Sequence, residues 1–134
     1  MIIDADSAIL GRLAAKIAKE LLKGESITVV NSEKIVVSGN PKAVFKRFQE
    51  KRKRGDLHKG PFYPRYPDKI LKRTVRGMIS YKKERGKKAF RRLKVHIGNP
   101  DGLKGEKLSK TSDDLSCKFI TLGQACKKLG AKLG

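Results

Sequence analysis

The chain has 134 residues, of which 38% are apolar and 34% charged, and its formal net charge is +20 at pH 7. This length fits one domain, and the apolar fraction is high enough to form a core, which argues against disorder along the whole chain. Two cysteines are too few for a disulfide framework, and no apolar run approaches the ~20 residues needed to span a bilayer. The sequence therefore predicts a single soluble, cytoplasmic domain over residues 1–134.

The positive charge is concentrated in one part of the chain. Residues 46–94, which we call the basic segment, contain 20 of the 33 Lys and Arg residues and four acidic residues, a net charge of +16. Residues 1–45 hold six basic and five acidic residues (+1), and residues 95–134 hold seven and four (+3). A compact fold with so much like charge repels itself until a polyanion neutralises it. The basic segment is therefore predicted to face a nucleic acid.

The chain opens with a pattern of strand, helix and strand. Residues 2–3 are typical of a short buried strand, and apolar residues recur at helical spacing over residues 10–21, with Ser7 as the predicted N-cap. Residues 27–30 and 35–37 are β-branched runs of the kind buried in parallel sheets. This order predicts a crossover unit, which is right-handed in nearly all known proteins.

A second helix is predicted after a turn, with Asn40 as its cap and Pro41 in its first position. Its apolar stripe ends at Phe48, although the helical pattern continues to Gly55. The last turns therefore have nothing to bury, and we expect the cations of residues 51–54 to project into the ligand.

The remainder of the basic segment is predicted to be a loop, two helices and a strand. Residues 55–67 contain three prolines and form the loop, Asp68 caps a helix through residues 70–79, and residues 82–92 form a short helix. Residues 93–97 alternate as a strand. Near the end of the chain, Thr121 and Gln124 have the spacing of a capping box ahead of a helix closed by Gly130.

The candidate RNA-binding residues fall into two clusters. In the first, cations accompany loop aromatics that could stack on unpaired bases or fill the core beneath the loop. In the second, Arg73 and Arg76 share one helical face, and Gly77 and Gly86 would let the backbone approach a phosphate. The candidates are Lys51, Arg52, Lys53, Arg54, Lys59, Phe62, Tyr63, Arg65, Arg73, Arg76, Lys82, Lys83, Arg85, Lys87 and Lys88.

Catalysis is not predicted, because the sequence has no dinucleotide fingerprint, phosphate loop or nucleophile elbow. Asp4 and Asp6 could hold a metal, but two carboxylates without a third ligand are better suited to accepting hydrogen bonds near a helix start. We therefore expect no cofactor and no metal. The alternatives are a small RNA-modifying or nucleotide-binding enzyme, since parallel sheets often bind nucleotides at strand ends, and a DNA-coating protein.

Five short motifs follow one another along nearly the whole chain. They are DADSAILGRL (residues 4–13), VVNSEKIVVSG (29–39), GPFYPRYP (60–67), VRGMIS (75–80) and LKVHIG (93–98). In this order they resemble the universal large-subunit ribosomal protein thirteen family. The short length and the GPF loop are similar to its archaeal and eukaryotic branch.

The resemblance implies a fold and a function. The fold would be an α/β domain, a three-layer α/β/α sandwich around a four-stranded, mostly parallel sheet. The function would be that of a structural constituent of the large ribosomal subunit, which binds large-subunit ribosomal RNA and supports early subunit assembly and translation. It would act as a monomer within the ribosome, away from membranes, beside neighbouring large-subunit proteins, with ribosomal protein three as a suggested neighbour.

Overall fold

The computed structural model describes residues 1–55, 58–99, 102–107, 111 and 115–132. A short 3-10 helix, Ser32–Lys34, separates the second strand from the third. The described residues confirm the α/β class, and among their helices none is both long and apolar enough to cross a membrane. The elements are β1 (Ile2–Asp4), α1 (Leu10–Leu22), β2 (Ile27–Val30), β3 (Val36–Ser38), α2 (Pro41–Lys53), α3 (Pro67–Met78), α4 (Glu84–Arg91), β4 (Leu93–Val95), β5 (Phe119–Thr121) and α5 (Leu122–Lys128).

The parallel strands form the predicted crossover unit. β1 pairs in parallel with β2, with Ile3 opposite Val29, and β2 pairs in parallel with β4, with Val29 opposite Val95. The strand order is β1-β2-β4, so α1 connects two neighbouring parallel strands. Val29 and Val30 are both fully buried, as expected for a central strand whose two faces are covered.

The predicted four-stranded sheet is not confirmed in the described residues. β3 pairs antiparallel with β5 in a separate two-stranded sheet, and a single parallel bridge joins Val36 of β3 to Ile9. Asn31 has a left-handed φ of +59° and turns the chain into the 3-10 helix, which carries β3 away from β2. Beyond β1, one parallel bridge between Ile3 and Glu106 extends the parallel sheet by a single residue pair.

The predicted N-cap of α1 is wrong. Ser7 has a left-handed φ of +62°, and the N-cap of the helix is Ile9. The chain stays extended up to the helix because the Ala8 carbonyl accepts a hydrogen bond from the Val36 amide at 2.7 Å. The helix therefore begins at Leu10, later than the local sequence predicts.

The core is formed by α1 and α3 packing together against the parallel sheet. The apolar stripe of α3 lies inside the basic segment, so that segment docks on the core as predicted. Met78 is an exception, since it lies 45% exposed at the end of α3, while Ile79 just beyond the helix is buried. Large, fully buried side chains include Ile3, Leu13, Ile17, Leu21, Ile27, Ile35, Ile70, Leu71 and Leu122.

The two cysteines lie in different environments. Cys117 is exposed, whereas Cys126 in α5 is fully buried. Burial first, and the Asp68 carboxylate second, raise the pKa of the Cys126 thiol to about 12. Because the thiolate is the reactive form, the Cys126 thiol is expected to be inert in the folded protein.

Thiol titration with Ellman's reagent tests this assignment. We expect the native protein to release about one equivalent of the chromophore rapidly, from the exposed Cys117, and the denatured protein about two. C117S is the matched control and should release almost none until it is denatured. Two rapidly reacting thiols in the native wild-type protein would contradict the buried position of Cys126.

Truncation of α1 tests the core. Leu13→Ala is expected to lower the free energy of unfolding by about 2–5 kcal/mol, because the substitution leaves a cavity. Leu22→Ala on the same helix is the control, since Leu22 is 37% exposed, and its cost should stay within about 0.5 kcal/mol. Urea denaturation followed by circular dichroism measures both values. Equal losses would show that Leu13 is not a core residue.

Candidate nucleic-acid interface

The C-terminal end of α2 lies against the proline-rich loop, residues 60–66. Arg52 Nη1 donates a hydrogen bond to the Tyr63 carbonyl oxygen at 2.7 Å, and the Lys51 ammonium lies 5.3 Å from the centroid of the Tyr63 ring. Residues 51–54 are all exposed, and two of them also contact the loop. Lys51 and Arg52 fasten the loop to α2, whereas Lys53 and Arg54 are exposed where the helix ends.

α3 holds the same loop from its other side. Arg73 Nη1 donates to the Phe62 carbonyl oxygen at 3.1 Å, and the Arg73 guanidinium lies 5.3 Å from the centroid of the Tyr63 ring. Tyr63 is thus contacted by one cation from each helix, and it packs against the core. Burial raises the pKa of the Tyr63 phenol, Arg73 opposes this rise, and Cys126 adds to it. Of the two roles left open for the loop aromatics, Tyr63 therefore fills the space beneath the loop.

Phe62, unlike Tyr63, points away from the core into solvent. Its side chain is 66% exposed, the highest value among the large apolar residues of the described chain. Gly60 has a left-handed φ of +72°, and a Cβ at that position would stand 3.0 Å from the Phe62 ring. The glycine therefore lets the ring lie close to the loop backbone. Phe62 is free to stack on a ligand, which is the other role that the sequence left open.

The second predicted cluster surrounds the turn between α3 and α4. The exposed Arg76 lies over the Tyr81 ring, 5.4 Å from its centroid, and Tyr81 packs edge to face on Phe90 at 5.4 Å. Tyr81 is absent from the predicted residues, although its position inside a run of cations could have indicated a role in nucleic-acid binding. The remaining predicted cations are all exposed, and they are Lys59, Arg65, Lys82, Lys83, Arg85, Lys87 and Lys88.

The predicted role of Gly86 is wrong. Gly86 is buried in α4, and a Cβ there would collide with the carbonyl oxygen of Ser80. The close backbone approach that this glycine permits is therefore made to the protein itself and not to a phosphate. A Cβ at Gly77 would meet no atom of the described residues within 4 Å.

These two glycines form a matched pair of variants. Gly86→Ala should destabilise the protein by about 1–3 kcal/mol, because the added methyl group forces the turn at Ser80 away from α4. Gly77→Ala, in the open part of α3, should stabilise it by about 0.4–1 kcal/mol through the loss of backbone entropy in the unfolded chain. Thermal unfolding measures both. A neutral Gly86→Ala variant would contradict the contact with Ser80.

Three of the clefts on the described surface of the basic segment share aromatic residues. The first has a volume of about 310 Å³ and includes Arg54 and Phe62. The second, of about 270 Å³, lies between Phe62 and Tyr81. The third, of about 760 Å³, includes Tyr81 and Lys83. Exposed cations and aromatic rings therefore line all three clefts.

The ends of the parallel strands carry a separate polar group, around Asp4. Its Oδ1 accepts hydrogen bonds from Asn31 Nδ2 and from the Asp6 amide, each at 3.0 Å. Burial raises the pKa of Asp4, but these hydrogen bonds and the nearby Lys107 and Lys34 outweigh it, so the pKa lies below its usual value. The predicted hydrogen-bonding role of Asp4 is confirmed, and the described residues contain no group of three or more potential metal ligands.

The fold and the exposed cations define a class of protein, a small α/β domain that gathers most of its positive charge on α2, the loop, α3 and α4. Residues 1–102 match the family described as Ribosomal protein L13. The chain is 48% identical to the large ribosomal subunit protein uL13 of Archaeoglobus fulgidus, over 96% of this chain and 86% of that protein. The proteins of the same name from Methanocaldococcus jannaschii and Methanosarcina barkeri are 46% and 47% identical, each over 98% of both chains. The chain therefore belongs to the ribosomal protein L13 family, which confirms the resemblance of its motifs.

Proposed function

We propose that this protein is a structural, non-enzymatic component of the large ribosomal subunit and that its basic segment binds large-subunit ribosomal RNA. The observation that carries the proposal is the net charge of +16 over residues 46–94, displayed on helices whose other sides are buried in the core. The names of the archaeal relatives, all large ribosomal subunit proteins, support it. Through this binding the protein would support early subunit assembly and translation in the cytoplasm.

The predicted RNA-binding residues divide into two groups. Lys51, Arg52 and Arg73 contact the loop, and Tyr63 of the loop packs against the core, so their main effect on RNA binding would be to hold the loop in place. The other predicted residues would contact RNA directly, since their side chains are exposed. A-form RNA is recognised mainly by shape and phosphate position, which suits a surface rich in cations.

The fold and partners implied by the family extend this proposal. The bridge at Glu106 supports a fourth position in a mostly parallel sheet, next to β1, within a three-layer α/β/α sandwich. In the ribosome, we infer a single copy of the protein beside other large-subunit proteins, with ribosomal protein three as the proposed neighbour. The alternative of a nucleotide-binding enzyme has less support, because Asp4 at the strand ends is already engaged in hydrogen bonds.

The salt dependence of RNA binding tests the interface. The double variant K53Q/R54Q removes two exposed cations. Each neutralised phosphate releases ~0.7–0.9 counterions, so the slope of log affinity against log salt for purified large-subunit rRNA should become shallower by about 1.4–1.8. R12Q/K19Q is the matched control, because it removes the same charge from the exposed side of α1, outside the basic segment. Its slope should equal that of the wild-type protein.

Filter binding at several salt concentrations gives the slopes, and urea denaturation checks that both double variants keep the wild-type stability within about 0.5 kcal/mol. An equal fall in slope for the two variants would show that the cations act only through net charge. In that case the basic segment would not be the interface. A duplex DNA of the same length bound as tightly as RNA would favour the DNA-coating alternative.

A further inference from the structure

Two aromatic residues are each shared by two of the three clefts. Phe62 lines both the first cleft and the second, and Tyr81 lines both the second and the third. The second cleft, which we call the central cleft, is therefore lined by both aromatic residues. Its volume of about 270 Å³ lies just below the ~300–1,000 Å³ typical of ligand pockets.

The rest of the central cleft combines apolar and cationic side chains. Phe90 lines it beneath Tyr81, and Lys69, Lys72 and Arg76 project from α3 along its length. A ring to stack on and cations beside it are what a protein uses to hold an unpaired nucleotide, whose base presents a π face and whose phosphates are charged.

The two aromatic residues differ in what their rings already contact. Tyr81 is 38% exposed, but its ring packs edge to face on Phe90 and has the Arg76 guanidinium 5.4 Å from its centroid. Phe62 is 66% exposed, and its ring lies near Gly60. The ring of Phe62 is therefore the larger free surface for stacking in the central cleft.

Phe62 is also held in position before any ligand binds. Its own carbonyl accepts a hydrogen bond from Arg73, and the next carbonyl, that of Tyr63, accepts one from Arg52. The loop is thus fixed to α3 on one side and to α2 on the other. A fixed loop loses little conformational freedom on binding, which favours affinity.

We propose that the central cleft binds one unpaired nucleotide of the RNA, with its base stacked on Phe62 and its flanking phosphates beside Lys72 and Arg76. The nucleotide has to be unpaired because a base inside a duplex has both faces stacked on its neighbours. This inference rests on the proposed function, since it names the RNA feature that the basic segment recognises.

Tryptophan fluorescence tests the stacking directly, because the chain contains no tryptophan. Phe62→Trp places the fluorophore at the central cleft. Phe119→Trp is the matched control, since Phe119 is 42% exposed on β5, outside the basic segment. Addition of purified large-subunit rRNA should quench the fluorescence of F62W and should protect its indole from further quenching by acrylamide. The fluorescence of F119W should change little.

Affinity gives a second, independent measurement. Phe62→Ala should weaken binding to the same rRNA about 5- to 150-fold, the usual effect of losing one base stack. Its salt slope should stay that of the wild-type protein, because no charge is removed. Phe62→Tyr should keep most of the affinity, and Phe119→Ala should have no effect. A thermal melt checks that each variant is folded.

The outcomes separate this inference from the function on which it rests. If the wild-type protein does not bind the rRNA, the proposed function fails. If the rRNA binds but the fluorescence of F62W is unchanged, or Phe62→Ala binds as tightly as the wild-type protein, the nucleotide site is overturned and the proposed function stands. Only quenching together with the loss of affinity supports the site.

Discussion

The hydrogen bonds from Arg52 and Arg73 to the loop carbonyls join the two halves of the charged surface. Without them, the Phe62 and Tyr63 carbonyls of the proline-rich loop would lose the donors that connect the loop to α3 and α2. The Tyr63 ring lies beneath the loop and contacts Lys51 on one side and Arg73 on the other, which adds two cation–π contacts to the same junction. The positions of Phe62 and of the exposed cations at the end of α2 all depend on this junction. A few charges of the basic segment are thus used inside the protein to position the others.

Electrostatic repulsion is the main cost of such a surface. The described part of the chain shows one salt bridge, between Lys23 and Glu20 on α1, and both residues lie outside the basic segment. Within the segment, the cations are held on helices whose apolar stripes reach the core: Ile70, Leu71 and Val75 of α3 are fully buried. Burial of this stripe offsets the repulsion among the exposed cations. Bound RNA would neutralise these cations and remove the repulsion. The protein is therefore suited to a polyanionic environment without losing a defined fold.

Much of the fold is predictable from local sequence signals. The Asn40 side chain accepts from the Lys42 amide at 3.1 Å, and Thr121 and Gln124 form the capping box that their spacing indicates. These signals act over three or four residues, so the sequence contains both partners of each interaction. Predictions failed where the partner is not local. Ser7 is not the cap of α1, because Ala8 is held by Val36 of β3, and Gly86 does not serve a phosphate, because the Ser80 backbone occupies the space beside it.

The sequence by itself determined the family, the α/β class and the concentration of charge in residues 46–94, because composition, periodicity and motif order are properties of the chain alone. The tertiary structure decided which of those residues face outward. Arg52 and Tyr63 are eleven residues apart, as are Arg73 and Phe62, and only folding of the loop between α2 and α3 brings each pair together. The same folding packs Tyr63 partly buried against the core and leaves its neighbour Phe62 exposed. Adjacent aromatic residues in a loop have the same local sequence signals, so only contacts with residues distant in the sequence give them different degrees of burial.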